Sequence, residues 1–128
     1  MKKCLLIEDD LDDQEIFLMC LEKVCEDVEC TTMNDGVSAI SMLRSNPEYV
    51  PDYIFIDVNM PKMTGIECLR ILKQMEKLMN ARIYMYSTTA EGLALEESKK
   101  LQASDFFIKP SNISALEEQL AMVFKSNR

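Results

Sequence analysis

Histidine is missing from all 128 residues, and that absence removes Ser/His and Cys/His nucleophile pairs and most zinc sites at once. Glycine is nearly as scarce. With only Gly36, Gly65 and Gly92, the chain holds neither a P-loop nor a G-x-G-x-x-G turn for a dinucleotide. Cys4, Cys20, Cys25, Cys30 and Cys68 are an odd number with no C-x-x-C pair, which suits a reducing compartment and buried thiols. The five-residue steps from Cys20 to Cys30 do not keep side chains on one helical face, and Cys30 falls in an expected strand. These cysteines read as packing residues rather than a metal or cluster site. Positive charge is also in short supply. A net charge of −8 argues against direct binding to a nucleic-acid backbone, which depends on Lys and Arg neutralising phosphates, and favours a basic or apolar partner. No apolar run approaches the roughly 20 residues needed to span a bilayer, and no signal segment opens the sequence. The reading is one domain, residues 1–128, soluble and cytoplasmic, large enough to remove roughly two thirds of its unfolded surface from water.

The most informative stretch is PDYIFIDVNMPKMTG, residues 51–65. Tyr53, Ile54, Phe55 and Ile56 form an apolar, β-branched and aromatic run of strand length that ends abruptly in the carboxylate of Asp57. Asn59, Met60 and Pro61 follow as a turn, because proline fixes its own φ and pushes the preceding residue out of the helical region. Asp57 thus belongs at a strand's C-terminal tip, and in an open α/β sheet that edge is where ligands bind.

The rest of the chain repeats the pattern. Lys3 to Ile7 reads as a buried strand, followed at once by Glu8, Asp9 and Asp10. A helix is expected to start near Asp12 or Asp13, whose carboxylates suit an N-cap and the positive end of the helix dipole. Ile16, Cys20 and Val24, beside Phe17 and Leu21, give it an apolar stripe. Val28 to Thr32 is a second strand, and Asn34, Asp35 and Gly36 introduce a helix carrying Val37, Ile40 and Leu43, which Asn46 and Pro47 stop. Beyond the strand ending at Asp57, Ile66, Leu69, Leu72, Met75 and Met79 predict one long amphipathic helix from Gly65. Arg82 to Tyr86 is the fourth strand, Ala90 to Leu101 a weaker helix, and Asp105 to Ile108 the last strand. Ile113, Leu116, Leu120 and Val123 stripe a final helix that runs to the end. Five βα units imply an α/β fold, a doubly wound five-stranded parallel sheet of order 2-1-3-4-5 with helices on both faces.

Every strand but the second then ends in a polar group: Glu8-Asp9, Asp57, Ser87-Thr88 and Lys109. Singly, each has a plain reading as a cap, a loop or a solvated turn. Together on one edge they mean more, because three crowded carboxylates repel and raise one another's pKa unless a cation neutralises them. A hard divalent ion with oxygen ligands fits, and Mg2+ needs few protein carboxylates, retains waters and bridges to phosphate oxygens.

On these residues the chain resembles response-regulator receiver domains of two-component signalling, specifically the stand-alone, chemotaxis-response-regulator-like kind. The matching motifs are LLIEDD after the first strand, PDYIFIDVNMPKMTG around the third, Ser87-Thr88 at the end of the fourth and FFIKP at the fifth. The resemblance spans essentially the whole chain and implies a flavodoxin-like (βα)5 fold without an output domain. It implies that Asp57 is the phosphoacceptor. Asp9 and Asp57 would bind Mg2+ directly, with the main-chain carbonyl of Asn59 as a further ligand and Glu8 acting mainly through a bound water. Lys109 would pair with Asp57 and then with a phosphoryl oxygen, and Ser87 would donate its hydroxyl to another. Phe106 holds the switch-aromatic position; Asn59, Thr88 and Thr89 would modulate the site; and the Lys109–Pro110 bond is expected to be cis. Such a protein is not a classical enzyme, although it catalyses its own phosphorylation and dephosphorylation. A chain without histidine must receive its phosphoryl group from a phosphohistidine elsewhere, on a histidine kinase or a histidine phosphotransfer protein, and pass the signal to a downstream protein in trans. The face formed by the fourth helix, fifth strand and fifth helix would carry it.

Departures from the commonest pattern qualify single roles. The acidic pair is Glu-Asp, which leaves the direct ligand in place. Ser87 stands for the usual threonine and keeps the hydroxyl, Thr88 stands where a smaller alanine is common, and Phe106 lacks the hydroxyl of the usual tyrosine. Two other classes share features of this pattern. An FMN-binding carrier needs a hydroxyl- and glycine-rich loop after the first strand, where Glu8, Asp9 and Asp10 would repel a phosphate. A phosphatase of the haloacid-dehalogenase type places an acid/base Asp two residues after its nucleophile, where this chain has Asn59. A milder alternative is a phosphorylation-independent flavodoxin-like binding module, against which Asp9, Asp57, Ser87 and Lys109 together argue.

Overall fold

The computed structural model describes residues 1–89 and 92–125. Strand β1 (Lys2–Ile7) leads to helix α1 (Leu11–Val24), β2 (Val28–Met33), α2 (Gly36–Ser45), β3 (Tyr53–Asp57), α3 (Gly65–Leu72), a 3-10 turn (Glu76–Leu78), β4 (Arg82–Ser87), α4 (Leu93–Lys100), β5 (Asp105–Ile108) and α5 (Ile113–Lys125). The strands form one parallel sheet in the order β2-β1-β3-β4-β5, as the alternation of elements requires.

Strand side chains alternate between faces, and here the two faces receive different residues. Leu5, Ile7, Ile54, Ile56, Ile83 and Met85 pack against Ala39, Ile40 and Leu43 of α2 and Cys68, Leu69 and Leu72 of α3. Cys4, Leu6, Tyr53, Phe55, Tyr84 and Tyr86 pack against Phe17, Cys20 and Leu21 of α1 and Leu116, Leu120, Val123 and Phe124 of α5. The central strands are covered on both sides, which is why they read as continuous apolar runs.

Several boundaries differ from the sequence reading. Helix α1 begins at Leu11, because Asp10 takes the extended cap conformation and its carboxylate accepts from the Asp13 amide at 3.0 Å. Asp12 and Asp13 occupy the first turn, where their charges still favour the helix dipole. The stripe of α1 is also rotated: Gln14 is buried and Ile16 exposed. Val37 and Ile113, expected inside, are half exposed. The long helix expected from Gly65 through Met79 stops at Leu72, although its start is well made, with a reciprocal capping box between Thr64 and Glu67. Past Leu72 the chain tightens into 3-10-type bonds, Gln74 N–H to Ile71 O and Met75 N–H to Leu72 O. That change of pitch brings the Lys77 ammonium onto the carbonyls of Leu43, Asn46 and Tyr49, at 2.7, 2.9 and 2.8 Å. Lys77 thereby satisfies the C-terminal carbonyls of α2 and the loop after it, and Met79 is left in solvent. The helix expected over 90–101 is observed as Leu93–Lys100, with residues 90 and 91 lying outside the described residues.

Candidate functional site

The register of the sheet assembles the site. Ile7 of β1 lies opposite Ile56 of β3, so the next residues, Glu8 and Asp57, leave the sheet side by side. Glu8 N–H donates to Met33 O at 3.0 Å and Val58 N–H to Tyr86 O at 3.0 Å, extending the ladder one residue past β1 and β3. Gln14 fixes the β1 end further, its amide donating to Glu8 O at 2.6 Å and to Asn34 Oδ1 at 2.8 Å. One carboxylate oxygen from each of Glu8, Asp9 and Asp57 falls within a cluster in which all such atoms lie within 4.8 Å of one another. Glu8 and Asp57 are buried, and Asp9 is exposed at the mouth.

Behind the cluster, Gly65 allows a close approach of α3. A Cβ there would sit 2.4 Å from Asp57 O and 2.7 Å from Val58 Cα, both backbone atoms that cannot swing away. Its amide donates instead to Val58 O at 2.9 Å. The intervening loop turns through Lys62, whose φ of 69° is left-handed, and the Asn59 amide donates to Asp57 Oδ1 at 3.2 Å.

Lys109 supplies the positive charge. Its Nζ lies 2.7 Å from Glu8 Oε1, 3.1 Å from Asp13 Oδ2 and 3.6 Å from Asp57 Oδ1, and 5.4 Å from the centroid of the Tyr86 ring. It thus makes the expected ion pair with Asp57, and lies still closer to Glu8 and Asp13, which accept its hydrogen bonds. The Lys109–Pro110 bond is trans, correcting the cis expectation: among the described residues no peptide bond is cis. Trans is the lower-energy form even before proline, and with it Lys109 N–H still bonds Ser87 O at 2.6 Å while Nζ reaches the acids.

The electrostatics follow from burial. Loss of solvent, reinforced by hydrogen bonding and charge from Glu8 and offset in part by Lys109, pushes the Asp57 carboxyl up to about 8. Burial alone would lower the Lys109 pKa, but its bond to Glu8 and the charge of Asp57 raise it above the ordinary value. Lys109 thus stays protonated beside an acid that does not ionise fully at neutral pH unless more positive charge arrives.

The remaining expected residues lie around this centre. Ser87 is buried at the β4 tip, its Oγ accepting from the Thr89 amide at 3.3 Å. Asn59, Thr88 and Thr89 are exposed at the rim. Phe106 is half-buried against the aliphatic face. The sequence reading missed Asp13, Gln14 and Gly65 as parts of the site. Gly65 alone carries a sequence signal, as the glycine that opens a helix and closes the motif PDYIFIDVNMPKMTG.

A doubly wound parallel sheet with an acidic pocket and a lysine at its carboxyl edge places the chain in the flavodoxin-like class of folds. Residues 4–121 match the response regulator receiver domain, and the chain belongs to that family, whose members are signalling phosphoacceptors rather than classical enzymes. It is 31% identical over 125 residues to a transcriptional regulatory protein, a CpxR homolog of Haemophilus influenzae, covering 98% of this chain and 51% of that one. The chain thus spans about half the length of that relative. It is 28% identical over 119 residues to response regulator Rcp1 of Synechocystis, covering 90% of this chain and 81% of Rcp1. The crystal structure of the phosphorylated cyanobacterial phytochrome response regulator RcpA superposes with a TM-score of 0.84 at 28% identity, over 95% of this chain and 90% of that one. No helix among the described residues is long and apolar enough to cross a membrane.

Proposed function

We propose that Asp57 of this receiver domain accepts a phosphoryl group from a phosphohistidine on a partner kinase or phosphotransfer protein, and that the acyl phosphate switches a protein-binding surface. The observation that carries this reading is the convergence of Glu8, Asp9, Asp57 and the Lys109 ammonium at one sheet edge. A carboxylate oxygen of Asp57 attacks phosphorus, the P–N bond to the donor imidazole breaks, and its electron pair leaves with the nitrogen, which takes up a proton. Lys109 meets the charge that develops on the phosphoryl oxygens, and Ser87 donates its hydroxyl to one of them. Three carboxylate oxygens gathered within 4.8 Å of one another make an all-oxygen donor set, so Mg2+ fits. Asp9 and Asp57 would hold it with the Asn59 carbonyl, Glu8 acting through water; when bound, the ion neutralises the acids and the phosphoryl oxygens. The same groups would speed hydrolysis of the acyl phosphate.

The added charge, roughly one to two units, favours the conformer in which the segment after Ser87 closes and Phe106 turns inward. Phe106, the exposed Lys99 and Lys100 of α4, and the exposed side of α5 then form the surface a partner protein reads. That RcpA, a relative, is described as phosphorylated supports the reading.

The test is labelling with phosphoramidate and Mg2+, followed by mass spectrometry. One base-labile phosphoryl group is expected on Asp57, absent in Asp57→Asn and absent with chelator. Labelling that persists in either condition overturns the assignment.

A further inference from the structure

Lys109 is the cation that reaches Asp57 among the described ion pairs, and it reaches it poorly. An ammonium has three donors, and two of them are given to Glu8 and Asp13, at 2.7 and 3.1 Å. At 3.6 Å the contact with Asp57 is a charge attraction rather than a hydrogen bond. Glu8 belongs to the acidic cluster itself, whereas Asp13 stands outside it, in the first turn of α1, with its side chain 42% exposed. Its backbone is nonetheless held firmly. The Asp13 amide bonds the Asp10 cap, and the neighbouring Gln14 ties α1 to the ends of β1 and β2. A carboxylate with no place in the acidic cluster is thus aimed from a capped helix start at the ammonium that, among the described residues, pairs with that cluster.

We propose that Asp13 is a positioning residue that tethers Lys109 toward α1 and away from Asp57, so that the Lys109–Asp13 contact must lengthen before the ammonium comes within hydrogen-bond range of a phosphoryl group on Asp57. The proposal rests on the reading of Asp57 as the phosphoacceptor. The tether competes with phosphoryl oxygens for the position of the same ammonium, and therefore slows phosphoryl acceptance and weakens the hold on the acyl phosphate. It also sets a direction: removing the Asp13 charge makes the domain easier to phosphorylate.

The experiment compares initial rates of phosphoramidate labelling with Mg2+ in wild type, Asp13→Asn, Asp13→Ala and Asp12→Asn, and repeats Asp13→Asn in a Lys109→Met background. A partly exposed ion pair corresponds to an acceleration of roughly 2- to 5-fold in both Asp13 variants. Asp12→Asn, which removes a neighbouring exposed charge, should stay near the wild-type rate, and the Asp13 effect should vanish without Lys109. Affinity for beryllofluoride, read by fluorine NMR, should rise by a similar factor. Rates unchanged or slower in the Asp13 variants, equal acceleration by Asp12→Asn, or acceleration that survives Lys109→Met would each overturn the tether; the last two would assign the effect to repulsion of the anionic donor. If wild type itself fails to label at Asp57, the phosphoacceptor reading falls, and the tether with it. If it labels normally and Asp13 is silent, only the tether falls.

Discussion

On the α1/α5 side of the sheet, Phe55 meets Phe17 edge-on at 5.0 Å and stacks on Tyr84 at 5.0 Å, while Tyr84 stacks on Phe107 at 5.5 Å and Tyr53 packs on Phe124 at 4.5 Å. On the other side the strands offer Ile, Leu and Met, and the partly buried residues around them include Met33, Met42, Met63 and Met75. Rings have defined mutual geometries and few rotatable bonds, whereas methionine adapts to irregular space. The helices follow suit. α1 and α5 are long and bury several large side chains, while α4 has eight residues and buries only Ser98. The rigid face presents Asp13 and braces Glu8 through Gln14. The adaptable face holds Phe106 and α4, the elements that the proposed switch must move. Ring packing and methionine packing thus lie on opposite faces of one sheet, and the proposed phosphorylation site sits on the edge they share.

The largest test of this contrast is Phe55→Ala, which deletes the centre of the ring cluster and is expected to cost about 3–5 kcal/mol. Met85→Leu, on the other face, keeps its volume and should cost less than about 1.5 kcal/mol. Urea unfolding of both variants checks the pair; similar losses would show that the faces do not differ in tolerance. Next comes Gly65→Ala, where the new Cβ would collide with the backbone of Asp57 and Val58. Overpacking of this kind costs about 1–3 kcal/mol, and because α3 abuts the acid directly, Asp57 labelling should slow as stability falls. A destabilised variant with an unchanged labelling rate would separate the packing of α3 from the site.

A further test belongs to the shared edge. Asp57 is pushed from 3.8 up to about 8, so the fold favours its protonated form. Its contribution to stability is present below the ordinary carboxylate range and is lost as pH rises through about 8. Asp57→Asn, neutral at every pH, should therefore match wild type near pH 4 and exceed it in chelator above pH 8, by at least the ~1.4 kcal/mol that one pKa unit represents. Added Mg2+ should erase the gain. Denaturant titrations at both pH values measure it, and an Asn variant less stable at high pH would mean that Asp57 is held as a paired carboxylate.

The sequence by itself determined the strands, their order and the edge on which chemistry collects. A continuous apolar run such as Tyr53 to Ile56 reads as a strand buried on both faces, and a charge placed directly after it emerges at the sheet's end. It also determined that Glu8, Asp9, Asp57, Ser87 and Lys109 would stand at those ends. Only the tertiary structure decided how they pair. Lys109 is 96 residues from Asp13 and 101 from Glu8, and no local pattern says which of several carboxylates an ammonium on a flexible stem will take. The same holds for Lys77, whose bonds to α2 and the loop beyond it overrode a helical periodicity that ran on to Met79. It holds too for Gly65, which looked like a helix start and proved to be the contact between that helix and Asp57. Periodicity is set by local backbone geometry and can be read along the chain. Pairing is a competition among distant groups whose outcome depends on distances that exist only once the sheet has formed.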